Sequence, residues 1–323
     1  MKILVTGGAG YIGSFMVDRL LERGDEVFVI DSLGRGFKES VSPRANFFQI
    51  NLLNKDLLSD FFSGNKIDSI IHFAGFISME ESVEKPALYF ENNTLASLNL
   101  IDAASKNDVK GFVFSSTAGV YGNPERIPIT EDHRTIPTNP YGESKLMVEK
   151  ILKWYQRIFD MNFVSLRYFN ASGGSLDGKR GEMHEPETHI IPLAIKAVLE
   201  NKPFKLFGTD YHTSDGTCIR DYIHVIDLVE AHVLTIERLS KENGGFFYNV
   251  GTGIGYSNRE VLNMVEKVSG KTLTVIGEKR RPGDAEILIA DVQKINRELG
   301  FSPKYSDLKT IVETAWKWHS RKS

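Results

Sequence analysis

The chain has 323 residues, 41% of them hydrophobic and 25% charged, with a net charge of −3 at neutral pH. This is soluble globular composition, long enough for one large domain or two, and it argues against a nucleic-acid or anionic-membrane partner. No apolar run is long enough to span a bilayer, and the single cysteine, Cys218, rules out an intrachain disulfide. The glycines come too early for a secretory leader, so a reducing cytoplasm is the expected compartment.

The first half alternates strand and helix patterns, as in a parallel sheet covered on both faces. Strands are expected at 2–6, 26–31, 46–50, 68–73, 111–115 and 162–168, with helices near 11–23, 54–63, 84–106 and 140–159. The fold class is therefore α/β, a doubly wound parallel sheet. The first strand runs into Gly7, Gly10 and Gly13, spaced G-x-x-G-x-x-G ahead of an amphipathic segment. Such glycines allow a tight turn, close backbone approach to a pyrophosphate and close helix–strand packing, and the helix N-terminus attracts the phosphates. The second strand ends in Asp31, placed to accept hydrogen bonds from an adenosine ribose and to repel a 2′-phosphate. NAD is thus expected over NADP, with Arg35 nearby as the one opposing charge.

The fourth strand ends in the small-residue turn Phe73-Ala74-Gly75. The fifth delivers three consecutive hydroxyls, Ser115, Ser116 and Thr117, to the same carboxyl edge. Asn139-Pro140 then opens a helix that places Tyr141 and Lys145 one turn apart on one face. A nearby ammonium lowers a tyrosine pKa, and a tyrosine so tuned can act as a general base near neutral pH.

With these three motifs in hand, the chain resembles the extended short-chain dehydrogenase/reductase superfamily. Phe73-Ala74-Gly75, Ser115 to Gly122, Arg167-Tyr168-Phe169-Asn170 and Gly216 to Val225 narrow the likeness to the UDP-glucose 4-epimerase family, over nearly the whole chain. The resemblance implies a Rossmann domain over 1–170, with 221–250 returning to it, and a smaller α/β substrate-binding domain over 171–220 and 251–323. It implies Tyr141, Lys145 and Thr117 as catalytic residues. It implies a cofactor site of Gly7, Gly10, Tyr11, Ile12, Gly13, Asp31, Asn51, Leu52, Phe73, Ala74, Gly75, Asn92, Ser115, Tyr141, Lys145 and Tyr168. Ile77 stands where some members carry a lysine near the cofactor phosphates, which removes one cationic contact.

For a UDP-sugar substrate, the resemblance implies contacts from Thr117, Tyr141, Asn170, His189, the Leu206-Phe207 backbone, Arg220, Arg281 and Asp284. Leu288 would stand on the wall facing the sugar's C2 substituent. The segment 173–189 reads as a polar, Gly-rich loop, which the resemblance makes a substrate-covering loop. Its His184, Glu185, Glu187 and His189 suggest a metal, but the helical H-E-x-x-H spacing is absent and no metal is expected. Two other readings stand beside a 4-epimerase. A nucleotide-sugar dehydratase or decarboxylase of the same superfamily would carry acidic groups just after Thr117, where this chain has Ala118 and Gly119. A non-catalytic NAD-binding regulator would have no need of Tyr141, Lys145 and Thr117 together. The helices near 84–106 and 140–159 carry apolar residues beyond one stripe, among them Leu98, Ile101, Leu146, Leu152 and Tyr155. Related epimerases pair these helices, so a homodimer is expected.

Overall fold

The strands expected from the first half form in a computed structural model of the chain, which describes residues 1–281 and 284–321. They are β1 (Lys2–Thr6), β2 (Glu26–Asp31), β3 (Asn46–Gln49), β4 (Ser69–His72), β5 (Gly111–Thr117) and β6 (Asn162–Tyr168), joined at one edge by β7 (Gly245–Val250). The sheet order is β7-β6-β5-β4-β1-β2-β3, with β1 to β6 parallel. Strands β4 and β6 are buried at every residue, the mark of a sheet covered on both faces. From β1 the order runs outward in both directions, and the carboxyl ends on either side of that reversal are where this fold binds ligands. Thr6 and His72 are register partners there, and Thr117 and Tyr168 are partners two strands away.

Helices α1 (Tyr11–Glu22), α2 (Lys55–Gly64), α3 (Ala96–Lys106) and α4 (Pro140–Phe159) accompany this sheet. The start of α4 is fixed twice: the Asn139 side chain accepts from the Gly142 N–H, and Pro140 supplies a preset first helical residue. The single helix expected near 84–106 is broken instead into Met79–Glu84, Pro86–Tyr89, a π-helical turn at Phe90–Leu95, and α3. Pro86 cannot donate into the preceding turn, and the wide turn after it carries Asn93 inward. Phe61, Leu100, Val148, Leu152 and Phe112 belong to one core with the sheet. Full burial of a side chain such as Leu152 stabilises the fold by about 1.5–3 kcal/mol.

By its internal contacts the chain divides into two units. Unit 1 is Met1–Gly122, Arg134–Tyr168 and Val229–Tyr248; unit 2 is Asn123–His133, Phe169–Leu228 and Asn249–Ser323. In unit 2, strand Ile219–His224 pairs with Asn170–Ser172, Ile287–Leu288 and Gly255–Ser257. A second small sheet joins Phe204–Phe207 to Val275–Glu278. Helices Ile190–Glu200, Asn258–Ser269 and Leu308–His319 share a separate apolar core with these strands. Among the described residues no helix is long and apolar enough to cross a membrane.

Candidate active site

Two glycines set the geometry of the first loop. Gly7 adopts φ +73°, and a Cβ there would lie 2.6 Å from the Ala74 nitrogen; a Cβ on Gly13 would lie 2.1 Å from the Gly7 carbonyl oxygen. Any larger residue would push β1, α1 and the turn after β4 apart. Gly10 caps α1 without a side chain. The first N–H groups of a helix have no partner inside it, and with the helix dipole they suit an anion. Tyr11 is buried and Ile12 half-buried in this first turn.

Asp31 ends β2 at 8% exposure, its Oδ2 accepting from the Ala9 N–H at 3.0 Å and its Oδ1 from Leu33 at 2.8 Å. Burial raises its carboxyl above the ordinary range, against the pull of those two N–H groups. Arg35 does not point its charge into open solvent. Its Nη2 donates to Glu81 Oε2 at 2.5 Å, and its guanidinium lies 4.0 Å over the Phe76 ring. Asn51 turns its side chain to the Leu53 N–H, and Leu52 is buried with its carbonyl accepting from Asn99. A glycine cradle, a bare helix start and a strand-end carboxylate together fit a dinucleotide.

At the carboxyl end of β5 the three hydroxyls divide, because successive strand residues face opposite ways. Ser116 points to the buried Glu149 at 2.7 Å, whereas Ser115 meets Tyr168 and Thr117 meets Tyr141. Lys145, 3% exposed, donates to the Ser115 carbonyl at 2.9 Å and lies 5.1 Å over the Phe114 ring. Gly75 is beside it: a Cβ there would lie 3.3 Å from Lys145 Nζ. Burial lowers the Lys145 ammonium to about 8.

The lowered Tyr141 pKa expected from the sequence is not what the geometry gives. Burial raises the phenol above its ordinary value, and only the Thr117 hydrogen bond pulls it down. Residue spacing puts Tyr141 and Lys145 on one helical face but carries no information on burial: Lys145 is buried and Tyr141 half-buried, and desolvation outweighs attraction at such a site. Tyr168 is raised well above its usual value, first by burial.

Sequence reasoning missed Asn93. Its side chain, 1% exposed, accepts from the Phe76 N–H at 2.7 Å and donates to the Phe76 carbonyl and to Ser144 Oγ, locking the turn after β4 against α4. The neighbouring Asn92 is half-buried and donates to Asn93 Oδ1 at 3.1 Å. Phe73 stacks obliquely on His232, with ring centres 4.8 Å apart.

In unit 2, several of the other expected residues meet. The Arg281 guanidinium lies 4.2 Å over the Phe207 ring. The Asp284 N–H donates to the Arg281 carbonyl at 3.3 Å, and Asp284 Oδ1 is 3.8 Å from Arg220 Nη2. Arg220 is in turn the register partner of Leu288. Leu206 is buried at 2%, so its backbone rather than its side chain is on offer. Asn170 donates to the Asp221 carbonyl at 2.8 Å. His189, just before helix Ile190–Glu200, is drawn to Glu182, a residue the sequence reading passed over. His184 and Glu187 join the same group, and Glu185 does not. Burial would raise the Glu182 carboxyl, but His189 and His184 outweigh it and hold it down at about 2.

Of the five apolar residues named for a homodimer, three lie inside, and Leu98 and Tyr155 are half-buried. Ile101, Leu146 and Leu152 are core residues, and Tyr155 is half-buried with its hydroxyl on Asp102. The exposed apolar positions on α4 are Met147, Trp154, Ile158 and Phe159, with Leu95 before α3.

Residues 3–251 match the family described as "NAD dependent epimerase/dehydratase family". A UDP-glucose 4-epimerase of Lacticaseibacillus casei is 45% identical over 320 residues, covering 99% of this chain and 97% of that protein. The crystal structure of UDP-glucose 4-epimerase from Brucella ovis in complex with NAD superposes with a TM-score of 0.94 at 41% identity, over 98% of this chain and 97% of the other. The enzyme from Bifidobacterium longum in complex with NAD+ and UDP gives 0.94 at 36% identity, over 99% and 98%. The glycine cradle, Asp31 and the Tyr141–Lys145 pair thus sit in a chain whose sequence and fold agree end to end with these enzymes, and it belongs to the NAD dependent epimerase/dehydratase family.

Proposed function

We propose that the chain interconverts UDP-glucose and UDP-galactose by inverting C4 of the sugar, with NAD as its cofactor. One observation carries the reading: at the carboxyl edge of the sheet that bears the glycine cradle, Thr117 is hydrogen-bonded to Tyr141 and Lys145 reaches the Ser115 carbonyl of the same strand end, and Ala118 and Gly119 follow Thr117. Tyr141 takes the proton of the sugar's C4 hydroxyl. Thr117 aligns the same oxygen and favours the phenolate. Lys145 holds the nicotinamide ribose and adds positive charge. Bound NAD supplies a hydride acceptor that is restored in each turnover. The 4-keto sugar turns over and is reduced on its other face, with Tyr141 returning the proton. Ala118 and Gly119 cannot move the C5 proton or the leaving water that a dehydratase must handle, and a regulator has no need of a tyrosine base beside Thr117.

The glycine loop and the start of α1 would hold the NAD pyrophosphate, and Asp31 the adenosine ribose. Asp31 repels a 2′-phosphate, and Arg35 is already engaged by Glu81, which supports NAD over NADP. Arg281 and Arg220 would clamp the UDP diphosphate, as planar guanidinium groups suit it. Asp284 would take the uridine ribose, the Leu206-Phe207 backbone the uracil, and Asn170 and His189 the rest of the nucleotide sugar. In this reading unit 1 is the NAD domain and unit 2 the substrate domain. Leu288 is our candidate for the gate at C2, with N-acetylated sugars turned over more slowly. Met147, Trp154 and Ile158 fall on one stripe of α4 and support a homodimer; light scattering is expected to give twice the chain mass. The single, buried Cys218 suits a reducing cytoplasm.

The test is to mix the purified protein with UDP-galactose, without added cofactor, and assay UDP-glucose. An equilibrium mixture of the two is expected. A 4-keto-6-deoxy product would favour a dehydratase, and NAD retained without any turnover would favour the regulator.

A further inference from the structure

Within unit 2, one short loop gathers four side chains able to ligate a metal. One ligand atom from each of Glu182, His184, Glu187 and His189 lies within 4.8 Å of all the others. His184 Nδ1 is 3.0 Å from Glu182 Oε1 and 3.9 Å from Glu187 Oε1, and His189 Nδ1 is 3.6 Å from Glu187 Oε1. His189 Nδ1 is also in contact with Glu182 Oε1. A tetrahedral site with bonds of about 2.0–2.2 Å has edges of about 3.3–3.5 Å, and the observed separations straddle that value.

The charge balance points the same way. Glu182 is 4% exposed and Glu187 13%, and among the described residues neither has a Lys or Arg partner. Buried carboxylates are normally paired or bound to metal. Without a metal, the cations these carboxylates have among the described residues are the His184 and His189 imidazoliums; one divalent cation would balance the two carboxylates in their place and leave both imidazoles neutral, as ligands must be.

The donor set selects the ion. Two imidazole nitrogens argue against calcium and magnesium, which take oxygen ligands, and no thiolate is present for an iron–sulfur cluster. Four protein ligands leave no open position, as in structural zinc sites. The anchoring fits a structural role too. The Glu182 carbonyl accepts from Trp318 Nε1 at 2.9 Å. Glu187 Oε1 also accepts the N–H groups of Thr188 and His189 at 2.7 and 2.9 Å. His189 leads into helix Ile190–Glu200. The ligands come from a loop, so the helical H-E-x-x-H spacing that the sequence lacks is not required.

We propose that Glu182, His184, Glu187 and His189 form a four-coordinate structural site for Zn²⁺ that pins the loop before helix Ile190–Glu200. Ligation through Nδ1 leaves the other nitrogen of His189 for the nucleotide sugar, so the two roles are compatible. The site stands whether or not the chain is an epimerase.

The test uses the full chain, expressed without a polyhistidine tag. Elemental analysis is expected to find about one zinc per chain. After chelation and dialysis, titration of Zn²⁺ against a chromophoric chelator should give a single tight site, and Zn²⁺ should raise the melting temperature. Co²⁺ in its place should give the visible absorption of a tetrahedral ion. His184→Ala and, separately, Glu187→Gln should weaken Zn²⁺ binding by more than about 100-fold, since loss of a mere outer-shell partner already costs about 10–100-fold. Circular dichroism checks that each variant folds; should one not, the wild-type titration and the other variant decide. A wild-type protein that neither binds Zn²⁺ stoichiometrically nor changes its melting temperature overturns the proposal. So does a folded variant that binds as tightly as wild type, because the zinc would then lie elsewhere.

Discussion

On α4, Lys145 and Glu149 lie one helical turn apart and are 3% and 1% exposed. Glu149 is fully answered. Arg167 grips it with two N–H groups at 3.0 and 2.7 Å, and Ser116 and Ser165 add hydroxyls. Burial tends to lower the Arg167 guanidinium, but Glu149 outweighs it and holds the pKa above the ordinary value. Among the described residues Lys145 has no carboxylate partner; it has the Ser115 carbonyl and the Phe114 ring, and its ammonium falls to about 8. A paired buried charge fixes structure. A buried cation without a counter-ion remains able to favour negative charge on a nearby oxygen, as in the phenolate that the proposed mechanism requires of Tyr141 before it takes a proton.

The widest separation between the two regions is expected from Tyr141→Phe, which keeps the ring and removes the base. Turnover should fall by about 10²–10⁴, while melting temperature and UDP affinity by calorimetry stay near wild type. Near-normal turnover would remove Tyr141 from the mechanism. Glu149→Gln should do the reverse. Breaking one side of a buried pair costs about 3–5 kcal/mol of stability, read as a lower urea midpoint, with turnover per folded molecule preserved. If that variant loses turnover and keeps its stability, the division along α4 is wrong.

Lys145→Met sharpens the contrast through pH. The folded pKa of Lys145 is lowered to about 8 from 10.5. Between those values the unfolded chain holds the proton more than the folded one, so this group makes wild-type stability rise with pH across the window. The rise is on the order of 3 kcal/mol at 1.36 kcal/mol per pH unit. In Lys145→Met this contribution should vanish, and the acid limb of kcat should move to higher pH because the phenolate loses a cation. A difference in stability between the two proteins that is flat from pH 8 to 10.5 would contradict the burial argument. The smallest expected effect is at Leu288. Forcing extra atoms against such a wall costs about 1–3 kcal/mol, or about 10–200-fold in a rate ratio. Leu288→Ser should raise kcat/KM for UDP-N-acetylhexosamines relative to UDP-glucose, and Leu288→Tyr should lower it. A ratio indifferent to side-chain size would leave Leu288 as ordinary packing.

What the sequence made legible was local. Gly7 to Gly13, Asp31 at a strand end, and Tyr141 with Lys145 each announce their chemistry within a few residues, and their strands and helices form where expected. What stayed hidden depended on distant partners. Asn93 matters because a π-helical turn carries it to Phe76, and periodicity cannot foresee such a turn. Ser116 faces away from the catalytic edge because β5 alternates. The apolar positions of α4 offered two faces, and only packing against the sheet decides that Leu146 and Leu152 go inside while Met147 and Trp154 stay out. Burial also reversed the sign expected for the Tyr141 pKa, since residue spacing carries no information about desolvation.

The central claim is that C4 of the sugar loses a hydrogen and regains the same one from the other side. It is tested most directly with UDP-galactose deuterated at C4, incubated with the protein in ordinary water and analysed by NMR and mass spectrometry. UDP-glucose that keeps its deuterium at C4 is expected. Loss of the label to solvent would contradict the claim, because inversion would then proceed by proton exchange with water and not by internal return of the hydrogen.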